Sequence, residues 1–109
     1  MNITFGLITY EGSKYLTECI DSIIKQSIPK DCFEIVVVGN NPALKELCKK
    51  HNCIKKFDFN ENKKYNNSIA LGGWISRKKN IITENAKFEN IVYAHDFYLF
   101  DNDWYKGFL

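Results

Sequence analysis

Hydrophobic positions change period along this chain, and the changes mark its elements. The stretch Asn2-Ile3-Thr4-Phe5-Gly6-Leu7-Ile8-Thr9 is rich in β-branched and aromatic residues and stops at Glu11-Gly12-Ser13, which reads as a strand running into a turn. From Ser13, a residue type that caps helices, Tyr15, Leu16, Cys19, Ile20, Ile23 and Ile24 recur at three- and four-residue intervals, and Pro29 follows. That spacing predicts an amphipathic helix. Phe33-Glu34-Ile35-Val36-Val37-Val38 is a nearly continuous apolar run, the pattern of a strand covered on both faces in a parallel sheet. Asn41 can cap, and Pro42 can open, a second helix carrying Ala43, Leu44, Leu47 and Cys48. A short strand is expected over residues 54–59. Residues 60–73 are polar and include Gly72-Gly73, so they read as a long mobile loop or a loop with a short helical turn. A helix from about residue 74 to 85 and a strand over residues 90–94 complete the regular part.

Strands alternating with helices imply right-handed crossovers, hence an α/β fold with a doubly wound, mainly parallel sheet and helices on both faces. The first strand should be central, between the second and the strand over 90–94. Ligands of such sheets bind beyond the carboxyl ends of the strands. Here those ends are Thr9-Tyr10-Glu11, Gly39-Asn40-Asn41 and His95-Asp96, all on one edge. The run "HDFYLFDNDW", residues 95–104, then divides. Asp101 and Asp103 read as capping residues of a turn, and Phe97, Tyr98 and Phe100 as core aromatics. His95 and Asp96 end a strand at the ligand edge and are candidate ligand-binding residues.

Composition narrows the picture. With 109 residues, 45% hydrophobic, 15% aromatic and 26% charged, the chain is expected to form one folded domain and not a disordered tail. A net charge of +2 without long runs of one sign gives nucleic-acid binding no electrostatic footprint. No apolar stretch approaches the ~20 residues that span a bilayer, and no signal-like N-terminus is present, so a cytoplasmic protein is expected. The four cysteines contain no Cys-x-x-Cys pair, and reduced thiols fit that compartment. Cys48, His51 and Cys53 match no structural zinc spacing and lack a fourth ligand. No Gly-x-Gly-x-x-Gly or Walker-type loop follows the first strand.

Two blocks carry a family resemblance. Residues 7–41, "LITYEGSKYLTECIDSIIKQSIPKDCFEIVVVGNN", contain Thr9-Tyr10, Tyr15-Leu16, Cys19-Ile20, Ser22-Ile23 and Gln26. They resemble the opening of family 2 glycosyltransferases of the GT-A type, with a Thr-Tyr strand end and a helix ending in Ser-Ile-x-x-Gln. Residues 78–104 resemble the family's Arg-Asn-x-Gly-x-x-x-Ala segment and Asp-x-Asp strand, with Asn80 and Ala86 at the family's spacing and Asp101, Asp103 and Trp104 where Asp-Pro-Asp-Trp is frequent.

The resemblance implies the Rossmann-like half of a GT-A fold, residues 1–109 forming a single domain that binds a nucleotide-diphospho-sugar. The sugar would go to a saccharide or other hydroxyl acceptor. Tyr10 can flank a base, and Lys78 and Lys79 can reach phosphates. Thr9, Tyr10, Glu11, Asn40, Lys79, Asn80, His95 and Asp96 are the implied donor-binding residues. His95 and Asp96 are also the implied ligands of Mg²⁺ or Mn²⁺, in a weakened motif because His95-Asp96-Phe97 stands where two carboxylates are common. Glu11 replaces the family's Asn, Gly39-Asn40 replaces an acidic pair, and Lys79 replaces Arg. Family members continue for a further hundred residues or more, with the acceptor-binding half and the catalytic base. The chain is therefore expected to be truncated before that half, or to act with a partner chain; the alternative is a non-catalytic Rossmann-like binding or interaction module.

Overall fold

The computed structural model describes residues 1–59 and 68–108. The elements run β1 (Ile3–Ile8), α1 (Leu16–Ile24), a 3-10 turn (Lys30–Cys32), β2 (Phe33–Val38), α2 (Leu44–Lys50), β3 (Ile54–Phe57), α3 (Ser68–Asn85), β4 (Asn90–His95) and α4 (Trp104–Phe108). Among the described residues the strands form one parallel sheet in the order β3-β2-β1-β4. β1 is central, as its apolar run requires. Ile3 pairs with Phe33 on one side and with Asn90 on the other.

Side chains alternate across a strand, and β1 uses both faces. Ile3, Phe5 and Leu7 join Ile35 and Val37 in a core closed by Leu16, Cys19, Ile20 and Ile23 of α1 and by Leu44 and Leu47 of α2. On the opposite face Ile8, Val36 and Val38 pack against Ile82 of α3. α3 comes so close that a Cβ placed on Gly6 would lie 2.5 Å from Ile82 Cγ2. Gly6 is thus the contact point between helix and sheet, consistent with the close backbone approach that glycine permits.

Several boundaries differ from the sequence reading. α1 starts at Leu16, with Tyr15 in the capping position and no side-chain cap, so Ser13 does not cap it. α2 starts at Leu44, after a turn in which the Asn41 side-chain oxygen accepts from the Ala43 N–H. β3 ends at Phe57. α3 starts at Ser68, six residues early, and runs through Gly72-Gly73. Ile75, Ile81 and Ile82 anchor it on the sheet, and an anchored helix propagates across glycines that local propensity disfavours. Residues 60–67 of the expected loop lie outside the described residues.

The aromatics after β4 also divide differently. Tyr98 N–H donates to the His95 carbonyl, and this turn leaves Phe97 62% and Tyr98 55% exposed, not in the core. Phe100 returns because its N–H donates to Ser22 Oγ (3.0 Å). Its ring then meets Phe5 and Trp104 edge-on at 5.4 and 5.1 Å. Gln26 continues the clamp by donating to the Asp101 carbonyl and accepting from Tyr105 N–H. Ser22 of α1 and Gln26, two residues past the end of that helix, therefore fasten residues 100–105 to the domain.

At the amino-terminal edge, the buried Glu34 carboxylate ties four segments. It accepts from Thr4 Oγ1 (2.7 Å) and Lys87 N–H and pairs with Lys55 at 2.7 Å. Burial alone would raise its pKa, but the hydrogen bonds and the Lys55 charge prevail and hold it below the ordinary carboxylate value. A depressed carboxylate pKa adds stability above the unfolded-state value, and that stability is lost as pH falls through the folded value.

Two expectations follow. Gly6→Ala should destabilise by about 1–3 kcal/mol through overpacking, and Ile82→Ala in the same chain should relieve part of that cost. A urea-denaturation double-mutant cycle with no coupling would exclude the contact. Stability should also fall below about pH 4.5, and Glu34→Gln should flatten that part of the pH profile while lowering stability at pH 7.

Candidate functional site

The sheet ladder continues one residue beyond each of three strands, and this sets the site. Thr9 N–H donates to Val38 O (3.0 Å), Gly39 N–H to Phe57 O (3.0 Å) and Asp96 N–H to Ile8 O (3.1 Å). Thr9 and Asp96 are therefore neighbours across the β1–β4 pair. Gly39 has φ +135, and any Cβ there would overlap the Thr9 carbonyl. Glycine lets the chain turn over the end of β1 and deliver Asn41.

Four buried polar side chains meet there: Thr9, Asn41, Lys78 and Asp96, each at most 8% exposed. Thr9 Oγ1 donates to Asp96 Oδ2 at 2.6 Å and accepts from Asn41 Nδ2 at 3.0 Å. Asn41 Nδ2 also reaches the carbonyls of Tyr10 and Ser13, each at 3.2 Å. Lys78 Nζ donates to the Thr9 carbonyl at 3.1 Å and stands 5.2 Å above the Phe59 ring. One threonine thus connects a carboxylate, an amide and an ammonium. Its main chain and side chain serve different partners. The Asp96 charge also reaches the core: burial first, then Asp96, push the Cys19 thiol up to about 12, so Cys19 stays protonated.

The other residues named from sequence lie around this cluster. Tyr10, Glu11 and Asn40 are exposed at the rim. Asn40 pairs with the Phe59 backbone, donating to its carbonyl (2.9 Å) and accepting from its N–H (3.2 Å). Lys79 and Asn80 are exposed on α3, one turn-step away from the face that carries Lys78. His95 is half-buried, its ring stacked on Phe97 at 5.4 Å and 9°. Beside the cluster a cleft of about 650 Å³ opens between the ends of β2 and β3, lined by Glu11, Gly39, Asn40, Lys45, Lys56 and Asp58.

Asp58 is absent from the residues that the sequence places at this edge, Asn41 is placed there only as part of a strand end, and Lys78 only as one of two lysines near phosphates. Before Pro42, Asn41 carries a helix-cap signature; its Oδ1 accepts from the Ala43 N–H at the entry to α2, while its Nδ2 makes the bridge to Thr9. Lys78 stands four residues before Ile82, on the same helix face, and that phase is the signal that it turns toward the sheet. No group of three or more His, Cys, Asp or Glu side chains is placed to hold a metal ion among the described residues. Asp96 offers one carboxylate, with one oxygen already engaged by Thr9.

The sequence model described as glycosyl transferase family 2 matches residues 4–98. The chain belongs to that family. It is 28% identical over 86 residues to the poly(ribitol-phosphate) beta-N-acetylglucosaminyltransferase TarS of Staphylococcus aureus strain Mu50 / ATCC 700699, covering 79% of this chain and 14% of TarS. The fold matches crystal structures of S. aureus TarS 1–349. Alone, that protein superposes with TM-score 0.77 at 23% identity, covering 98% of this chain and 31% of TarS 1–349. In complex with UDP the TM-score is 0.75, again at 23% identity, covering 98% and 30%. The mannosyltransferase PcManGT of Pyrobaculum calidifontis, in complex with GDP-Man and Mn²⁺, superposes with TM-score 0.69 at 21% identity over 94% of this chain and 29% of its own. The chain thus spans a third or less of these relatives. Among the described residues no helix is long and apolar enough to cross a membrane.

Thr9→Val keeps the shape but leaves Asp96 and Asn41 without their shared partner, so it should cost about 1–3 kcal/mol. Thr9→Ser should retain most of the stability. Thermal denaturation of the two variants checks this, and a stable Thr9→Val beside a destabilised Thr9→Ser would show that the methyl group, not the hydroxyl, matters.

Proposed function

We propose that this chain holds the diphosphate of a nucleotide-diphospho-sugar at the carboxyl edge of its sheet, for transfer of the sugar to an acceptor hydroxyl. The observation that carries this reading is the buried cluster of Thr9, Asn41, Lys78 and Asp96, built by a family 2 chain at the edge where parallel sheets take ligands. The adjacent cleft presents Asn40 and Asp58 to a nucleoside, and the exposed Tyr10 ring offers a flat face to its base. The lysine at the Thr9 carbonyl supplies positive charge to the leaving diphosphate from a site of low dielectric, where such charge acts strongly. Lys79 adds a second, solvent-side cation. Glu11, Asn80 and His95 complete the rim. TarS has been crystallised with UDP and with UDP-GlcNAc, which supports a nucleotide-sugar ligand.

Mg²⁺ or Mn²⁺ requires several oxygen ligands, and a single carboxylate meets that demand only together with oxygens of a bound diphosphate. Asp96 would be the anchor, with His95 beside it. When bound, the ion neutralises the leaving group. We assign the acceptor site and the base that takes the acceptor proton to residues outside 1–109, in keeping with the greater length of the relatives. The setting is cytoplasmic on this reading.

Calorimetric titration of UDP, with and without Mn²⁺, tests the proposal. Mn²⁺ should raise UDP affinity in the unmodified chain, and UDP should raise Mn²⁺ affinity by the same factor. Asp96→Asn should remove most of that coupling, and Lys78→Met should weaken UDP about tenfold with or without the ion. Equal coupling in wild type and Asp96→Asn would exclude Asp96 as the anchor. No saturable binding of UDP, GDP or their sugars would overturn the nucleotide site itself. The chain alone should transfer no sugar, and turnover would overturn the assignment of the base to residues outside it.

A further inference from the structure

A larger cleft, about 800 Å³, lies at the opposite end of the sheet, where β2 and β3 begin and the chain approaches β4. Five lysines, among them Lys30, Lys50 and Lys87, and His51 line it, against two carboxylates, Asp31 and Glu34. Glu34 is already satisfied by Thr4, Lys55 and the Lys87 backbone. Lys30 and Lys50 have no carboxylate within ion-pairing distance among the described residues. Positive charge at Lys49 and Lys50 also complements the carboxyl end of α2. That explanation does not extend to Lys30 in the 3-10 turn, to Lys55 on β3 or to Lys87 before β4, which converge from three other segments.

A second feature of the same wall points to a ligand. His51 Nε2 is buried and has no hydrogen-bond partner among the described residues. A buried polar atom without a partner is unfavourable, and an oxyanion seated against the wall that His51 lines would offer the ring an acceptor and meet the ammonium groups. Lysines act on phosphate as mobile point charges, without the planar fork of arginine. Their spread around a space larger than one phosphate suits several phosphates on one molecule.

We propose that this cleft is an anion-binding site, separate from the carboxyl edge, that takes a phosphate-bearing ligand. The inference does not depend on sugar transfer. Amide chemical shifts of the isotopically labelled chain, followed on addition of inorganic phosphate or of a short linear polyphosphate, provide the test. Both probes should move His51, Cys53 and Lys87. Tighter binding of polyphosphate by tenfold or more would identify a polymeric or multiply phosphorylated ligand, and equal affinity a single phosphate group. Lys30→Gln with Lys50→Gln should weaken binding at least tenfold, and His51→Leu severalfold, while the UDP titration stays unchanged. The same charge removed at Lys14 and Lys106, outside the cleft, should change little. Shifts confined to Thr9, Gly39 and Asp96, no saturation at millimolar phosphate, or equal losses from both lysine pairs would overturn the proposal.

Discussion

Burial of β1 on both faces and along both edges is the constraint on which this molecule depends. Its six residues are all buried, with β2 and β4 hydrogen-bonded on either side and helices above and below. A strand so enclosed can carry polar groups only at its ends, or where each is matched by a partner. Thr4 meets Glu34, and Thr9, one residue past the strand, meets Asp96, Asn41 and Lys78. The chemistry of the domain is thereby pushed to the two edges of its sheet.

At the carboxyl edge, the polar groups of the candidate site are also structural groups. Asn41 holds the Tyr10 and Ser13 carbonyls and the Ala43 N–H, so it forms the loop after β1 and the entry to α2 as well as the floor of the site. Gly39 makes this possible by letting backbone cross backbone. A satisfied polar network is rigid, and rigidity at a site reduces the ordering that a ligand would otherwise impose. Ser22 and Gln26 extend the same economy to residues 100–105, which they hold through side-chain bonds to backbone groups. The Ser-Ile-x-x-Gln motif at the end of α1 and just beyond it is therefore a clamp between distant segments in this chain.

The amino-terminal edge follows the same logic with an excess of lysines. There one buried carboxylate collects a hydroxyl, a backbone N–H and a lysine, and the remaining lysines face an open cleft. A parallel sheet has two chemically distinct ends because every strand points the same way, and this domain places buried polar side chains at both.

Periodicity alone determined the order of elements. The nearly continuous apolar run at 33–38 demanded two-sided burial and hence parallel neighbours, the β-branched and aromatic residues at 3–8 a strand, and the three- and four-residue spacing after Ser13 a helix on the sheet. The placement of Thr9 and Asp96 at one edge followed from topology without coordinates, because carboxyl ends of parallel strands coincide. Which side chains turn inward there was a tertiary decision. The local signature of Asn41 announces only its bond to the entry of α2, and the turn at Gly39 added the bridge from its Nδ2 to Thr9, Tyr10 and Ser13. Lys78 and Lys79 are adjacent and chemically alike, and the contact of Gly6 with Ile82 fixed the rotation of α3 that buries the first and exposes the second. Phe97, Tyr98 and Phe100 are equally apolar in sequence, but a hydrogen bond from Phe100 to Ser22, 78 residues away, put only the last into the core. Local pattern sets what an element must bury, whereas long-range hydrogen bonds and close backbone contacts decide which neighbour of a pair is turned toward the site.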